Sequence, residues 1–170
     1  MKKVCWFCSI TALILLCVTW ALAHPHLLKT VSTKLPGGAE VTLDYITVPA
    51  NEAHLKQAAV GEFLTTRRAP KLKISAEIKT GSVTIPAGEY SVGVIKDSDK
   101  DWTVALYPGQ LGMDEKPDKA KLIRLDSMSS TTMGTAEHML IDISPGSGKF
   151  EGKAVLLWHF GSQYLVGALS

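Results

Sequence analysis

The sequence predicts an all-β fold: an antiparallel β-sandwich of about nine short strands with one short helix, behind a cleaved signal peptide. Three observations carry this. In Ser82–Tyr107, apolar residues alternate with polar or small ones on both sides of turn-forming clusters, the period-two signature of antiparallel ribbon. Comparable turn signals recur along most of the remaining chain, and only one segment has convincing helical character.

In order, Leu27–Lys34 is a first strand, stopped by Leu35-Pro36-Gly37-Gly38. Val41, Leu43 and Tyr45 alternate with Thr42 and Asp44 in a second, broken at Pro49-Ala50-Asn51. Asn51 is placed to cap a helix over Glu52–Ala59, whose residues mostly have good helix propensity. Gly61–Pro70 reads as an irregular link. Leu72, Ile74, Ala76 and Ile78 form one alternating strand turned by Thr80-Gly81. Val83 and Ile85 close a short strand, and Pro86-Ala87-Gly88 turns it. Tyr90, Val92 and Val94 then alternate up to Asp97-Ser98-Asp99-Lys100-Asp101, and Trp102, Val104 and Leu106 alternate back.

Pro108–Lys119 is a polar loop, Leu122–Leu125 a short strand, and Ser127–Thr135 a loop or poorly paired edge. Met139, Ile141 and Ile143 alternate before the turn Pro145-Gly146-Ser147-Gly148. Ala154–Phe160, apolar at nearly every position, reads as a strand covered on both faces, and Tyr164–Leu169 is the last strand. Trp102 and Trp158 are expected in one core, with Tyr90, Val104 and Leu156 facing inward.

The first 23 residues read as a targeting segment. Met1-Lys2-Lys3 is a basic start, an apolar run follows to Leu22, and Ala21-Leu22-Ala23 is an A-x-A cleavage site. The run is long enough for a membrane anchor, but its A-x-A end and the absence of basic residues after it favour cleavage. Residues 24–170 then form a single sandwich domain, not membrane-spanning, delivered to the periplasm or the medium. Cys17 does not make this a lipoprotein signal, because Leu15-Leu16 precede it where small residues belong. Lys2 and Lys3 are two of the 18 basic residues, so the remainder balances the 16 acidic ones. That neutrality argues against a nucleic-acid partner. Cys5, Cys8 and Cys17 are the three cysteines, so the processed chain has no disulfide.

V-T-L-D-Y (Val41–Tyr45), I-P-A-G-E-Y-S-V (Ile85–Val92), D-W-T-V-A-L-Y (Asp101–Tyr107) and a closing apolar strand with Trp158 follow one another in this order. In this the chain resembles the secreted family called domain of unknown function 2911, over roughly Glu40–Leu169. The resemblance implies an exported β-sandwich and no established activity. The chain departs from that pattern between Pro49 and Pro70, where a glycine-rich stretch with a tryptophan is expected. A ligand site built there in the family does not carry over.

Catalytic motifs fail. Ser144–Lys149 lacks a glycine of the P-loop pattern and is followed by Phe150 instead of Ser or Thr. There is no G-x-S-x-G elbow. His138 and Asp142, four residues apart on a strand, are separated by roughly 13 Å, too far to act as a pair. The primary expectation is therefore a non-enzymatic binding or structural module of the cell envelope.

The histidines suggest an alternative. Cleavage after Ala23 leaves His24-Pro25-His26 at the new terminus. The amine and imidazole of His24, with a second imidazole from His138, His159, His26 or His54, compose a nitrogen set suited to Cu(II). The start H-P-H-L-L is also similar to that of periplasmic copper-carrier β-sandwiches. Pro25 has no N–H, which excludes copper sites that use the amides of residues two and three. The structural alternatives are a frayed terminus for His24, a satisfied core position for His159 and an exposed one for His54. Met128, Met133 and Met139 are taken as packing residues rather than thioether ligands.

Overall fold

The computed structural model describes residues 26–113 and 115–170. The segment expected to be a signal peptide, His24 and Pro25 lie outside the described residues.

The described chain is the expected antiparallel sandwich. The larger sheet runs β1 (Leu28–Lys34), β2 (Glu40–Ile46), β4 (Lys71–Ile74), β7 (Gly88–Lys96), β8 (Trp102–Pro108) and β9 (Ile123–Arg124), with β3 (Phe63–Leu64) on β7. The smaller runs β10 (Ser127–Ser130), β13 (Gln163–Leu169), β12 (Ala154–Gly161) and β11 (Ala136–Pro145). A ribbon of β5 (Ile78–Thr80) and β6 (Val83–Ile85) completes it, joined to the chain end by Ser170 N donating to Lys79 O at 2.8 Å. One helix, α1 (Glu52–Gln57), follows β2.

Alternation becomes packing between the sheets. Val41, Leu43, Tyr45, Leu72, Tyr90, Val92, Val94, Trp102, Val104 and Leu106 from one side meet Met139, Ile141, Leu156, Trp158 and Leu165 from the other. Both tryptophans and the inward positions expected of Tyr90, Val104 and Leu156 are in this core.

Three differences from the sequence reading have physical causes. The described chain has thirteen strands rather than about nine, because one expected strand is split by a bend and because β3 and β10 pair where a link and a loop or poorly paired edge were expected. The segment from Leu72 to Ile78 bends at Ser75-Ala76, so its halves belong to different sheets although inward residues continue through both. The link Gly61–Pro70 contributes β3. Ala154–Phe160 is covered on its outer face at one end only, where Phe150 lies against Val155, Val166 and Ala168.

The outer face of β7 and β8 is covered as well. Phe63, Ala69 and Leu111 lie against Ile95 and Ala105. Ser91, fully buried on this face, donates to Gly109 O at 3.0 Å and accepts from Leu111 N at 2.8 Å, which fixes the returning loop.

The sheets are also laced along both margins. Beyond β2 the chain stays extended and pairs with β11: Ala50 N donates to Glu137 O and Met139 N to Val48 O, each at 2.8 Å. At the opposite margin Trp102 N donates to Ser129 Oγ at 3.3 Å and Val104 N to Ser127 Oγ at 3.1 Å, tying β8 to β10.

Candidate functional site

The larger sheet is incomplete at one end. β4 is four residues long and pairs with β2 only from Val41 to Asp44. Further along, β2 is paired with β1, while β7 is paired with β3 through Phe63↔Ile95 and Leu64↔Val94. No ladder joins β2 to β3, and a cleft of about 250 Å³ opens between β3 and the extended segment Val48-Pro49 that follows β2.

Its apolar lining is Val48, Pro49, Leu55, Leu64, Val94, Trp158 and Phe160; Thr65, Thr66, Asn51, His54 and Arg67 complete it. The lining contains no carboxylate and no thiol. It offers van der Waals contact and a few hydrogen-bonding groups, the makeup of a small-molecule pocket at the small end of the usual size range.

Helix α1 stands beside this cleft. It is too short to be stable alone, and local contacts fix it. The Asn51 side chain accepts from His54 N at 3.3 Å, satisfying one of the otherwise unpaired first-turn donors. Glu52 Oε1 accepts from Ser162 N at 3.1 Å, which ties the helix to the β12–β13 hairpin. At that hairpin Gly161 has φ +57°, and a Cβ there would meet Glu52 Cγ at 2.9 Å, so both backbone and space require glycine.

The opposite wall is held by close approach. A Cβ on Gly93 would lie 2.4 Å from Phe63 Cζ and 2.5 Å from Leu64 O. Without a side chain there, β3 settles directly on β7, and Thr65 Oγ donates to Val92 O at 2.7 Å.

The histidines named from sequence are not gathered here. His24 lies outside the described residues. His26 is exposed, with Nδ1 3.0 Å from Thr47 O. His138, half-buried on β11, is in register with Pro49. His159 is half-buried on the outer face of the smaller sheet rather than in the core. Its Nε2 is 3.4 Å from Gly134 O and its ring stands edge-on to Tyr164 at 5.4 Å. His54 is exposed, at the cleft. Among the described residues no three His, Cys, Asp or Glu side chains are grouped as a metal site. Met139 is a core residue, whereas Met128 and Met133 are exposed.

Sequence reasoning missed the cleft. The available signal was Thr65-Thr66-Arg67 directly after the apolar pair Phe63-Leu64, inside a segment read as a link. Compared with known proteins, the chain matches no family model, no curated protein and no solved structure.

Proposed function

We propose that the chain is an exported, non-enzymatic binding module that holds a small apolar molecule in the cleft between β3, β12 and the segment that follows β2. The observation that carries this reading is the cleft itself, whose mainly apolar lining includes Val94, Trp158 and Phe160 beside the short β4. Export is supported by the sequence of Met1–Ala23 alone, and kinship with domain of unknown function 2911 by the ordered sequence motifs alone. Among the described residues no helix is long and apolar enough to cross a membrane.

The test is titration with N-phenyl-1-naphthylamine, an uncharged apolar fluorophore. One saturable site is expected, and Thr66→Trp, which fills the cleft from a loop, should weaken it roughly tenfold or more with the melting temperature unchanged. Undiminished binding by that variant would place the ligand elsewhere.

A second reading, copper binding through His24, is favoured by one placement. Thr47 N donates to Leu27 O at 2.9 Å, and Pro49 is in register with His138. His26 and His138 therefore flank the same extended segment. His138 is the first choice for the second imidazole, with His159 next. Affinity for Cu(II) should fall as pH drops through the imidazole range, because ligand nitrogens coordinate deprotonated. One extra residue ahead of a processed His24 moves the amine and should abolish most of the affinity; equal affinity in the extended form refutes this reading.

A further inference from the structure

A second cavity, of about 240 Å³, lies across Leu55 from the cleft, lined by Leu55, Lys56, Lys96, Asp99, Trp102 and Gln163. Its origin is legible in β7. The inward positions run Tyr90, Val92, Val94, and the next is Lys96, a cation at the end of an apolar row. The Lys96 side chain is 8% exposed. Its ammonium donates to Ala58 O at 3.2 Å and Asp99 Oδ1 at 2.9 Å, and lies 6.0 Å from the centre of the Trp102 ring.

The charge is balanced unevenly. Asp99 is 91% exposed, so neutralisation comes from a carboxylate that is itself in solvent, where such pairs contribute little. Beside Lys96, two buried polar atoms have no hydrogen-bond partner: the indole Nε1 of Trp102, a residue only 5% exposed, and Oε1 of Gln163. Buried polar atoms are normally partnered. Here the residues that carry an unpartnered indole donor and an unpartnered amide oxygen line one cavity together with Lys96.

We propose that this cavity is a binding site for a small carboxylate carrying a hydroxyl on the adjacent carbon. One carboxylate oxygen accepts from the Lys96 ammonium, the other from the Trp102 indole, and the hydroxyl donates to Gln163 Oε1. Every orphaned group thereby gains a partner of the right polarity. Asp99 competes with the ligand for the same cation. The site is separate from the apolar cleft and does not depend on what that cleft holds.

Lactate is the probe and its uncharged amide, lactamide, the control, read by the indole ¹H–¹⁵N resonances of the full chain. Trp102→Phe assigns one of them, and Trp158, in the cleft, supplies an internal reference. Lactate should shift the Trp102 resonance saturably, leave that of Trp158 in place and bind more tightly than lactamide. Asp99→Asn, at an exposed position, should tighten lactate binding about two- to fivefold by removing the competitor. Lys96→Met should weaken it at least about tenfold. Should that variant not fold, the Asp99→Asn comparison decides alone. Three results each overturn the proposal: no saturable shift, which leaves a water-filled cavity; equal binding of lactamide; or lactate binding that does not tighten in Asp99→Asn.

Discussion

Tyr90 carries a hydroxyl into the inward row of β7, ahead of Val92 and Val94. Its O–H donates to Pro86 O at 2.7 Å, across the turn of the I-P-A-G-E-Y motif. Burial pushes the phenol above its ordinary value of 10.0. The folded chain therefore keeps this proton at pH values where the unfolded chain releases it. The associated stability is fully present below the ordinary value and is lost as pH rises through the raised one. Tyr90→Phe should cost about 1 kcal/mol near neutrality, the usual net value of such a bond. The variant should also lose less stability than the native protein in urea melts between about pH 8 and pH 11; parallel losses would remove Tyr90 as the cause. At the acid end Asp99 has the opposite sign. The hydrogen bond from Lys96 and its charge hold the Asp99 carboxyl below the usual range. That contribution is present above the ordinary carboxylate value and disappears as pH falls through the lowered one.

At the scale of elements, β3 depends on what β7 omits. Gly93→Ala places a methyl against Phe63 and the Leu64 carbonyl, and a backbone oxygen has nowhere cheap to go. The substitution should cost roughly 1–3 kcal/mol, as overpacking usually does. It should also lift Phe63–Thr66, so that amide exchange in this segment quickens and the cleft loses its apolar probe. A variant with native stability and native probe binding would show that β3 is not seated as described. Most strands were legible, because each buries one face and so keeps its alternation; Val41–Tyr45 and Trp102–Leu106 are clear cases. Helix α1 was legible from Asn51. The bend at Ser75-Ala76 was not, because inward positions stay in phase across it. β3 was hidden because two residues carry no period, and its place is set by a glycine some thirty positions away. For the same reason the cleft was invisible: its lining comes from segments brought together by tertiary contact. Lys96 had a signal, a charge at an inward position of an alternating strand, but its two orphaned neighbours lie on other stretches of chain.

At the scale of the whole molecule, the lacing of the sheets decides how either cavity can exchange its contents. With Val48–Ala50 bonded to β11 and the β10 serines bonded to β8, the two layers behave as a cuff sewn along both seams. A cuff does not widen sideways, and neither layer can slide past the other without breaking main-chain bonds along one seam and serine contacts along the other. Beside both cavities stands α1, tied down by the Glu52–Ser162 contact and the Asn51 cap. Because Leu55 on that helix borders both the apolar cleft and the Lys96 cavity, one small rearrangement loosens both compartments together. Residence times in the two should therefore rise and fall in step, set by a six-residue helix rather than by the strength of the sandwich beneath it.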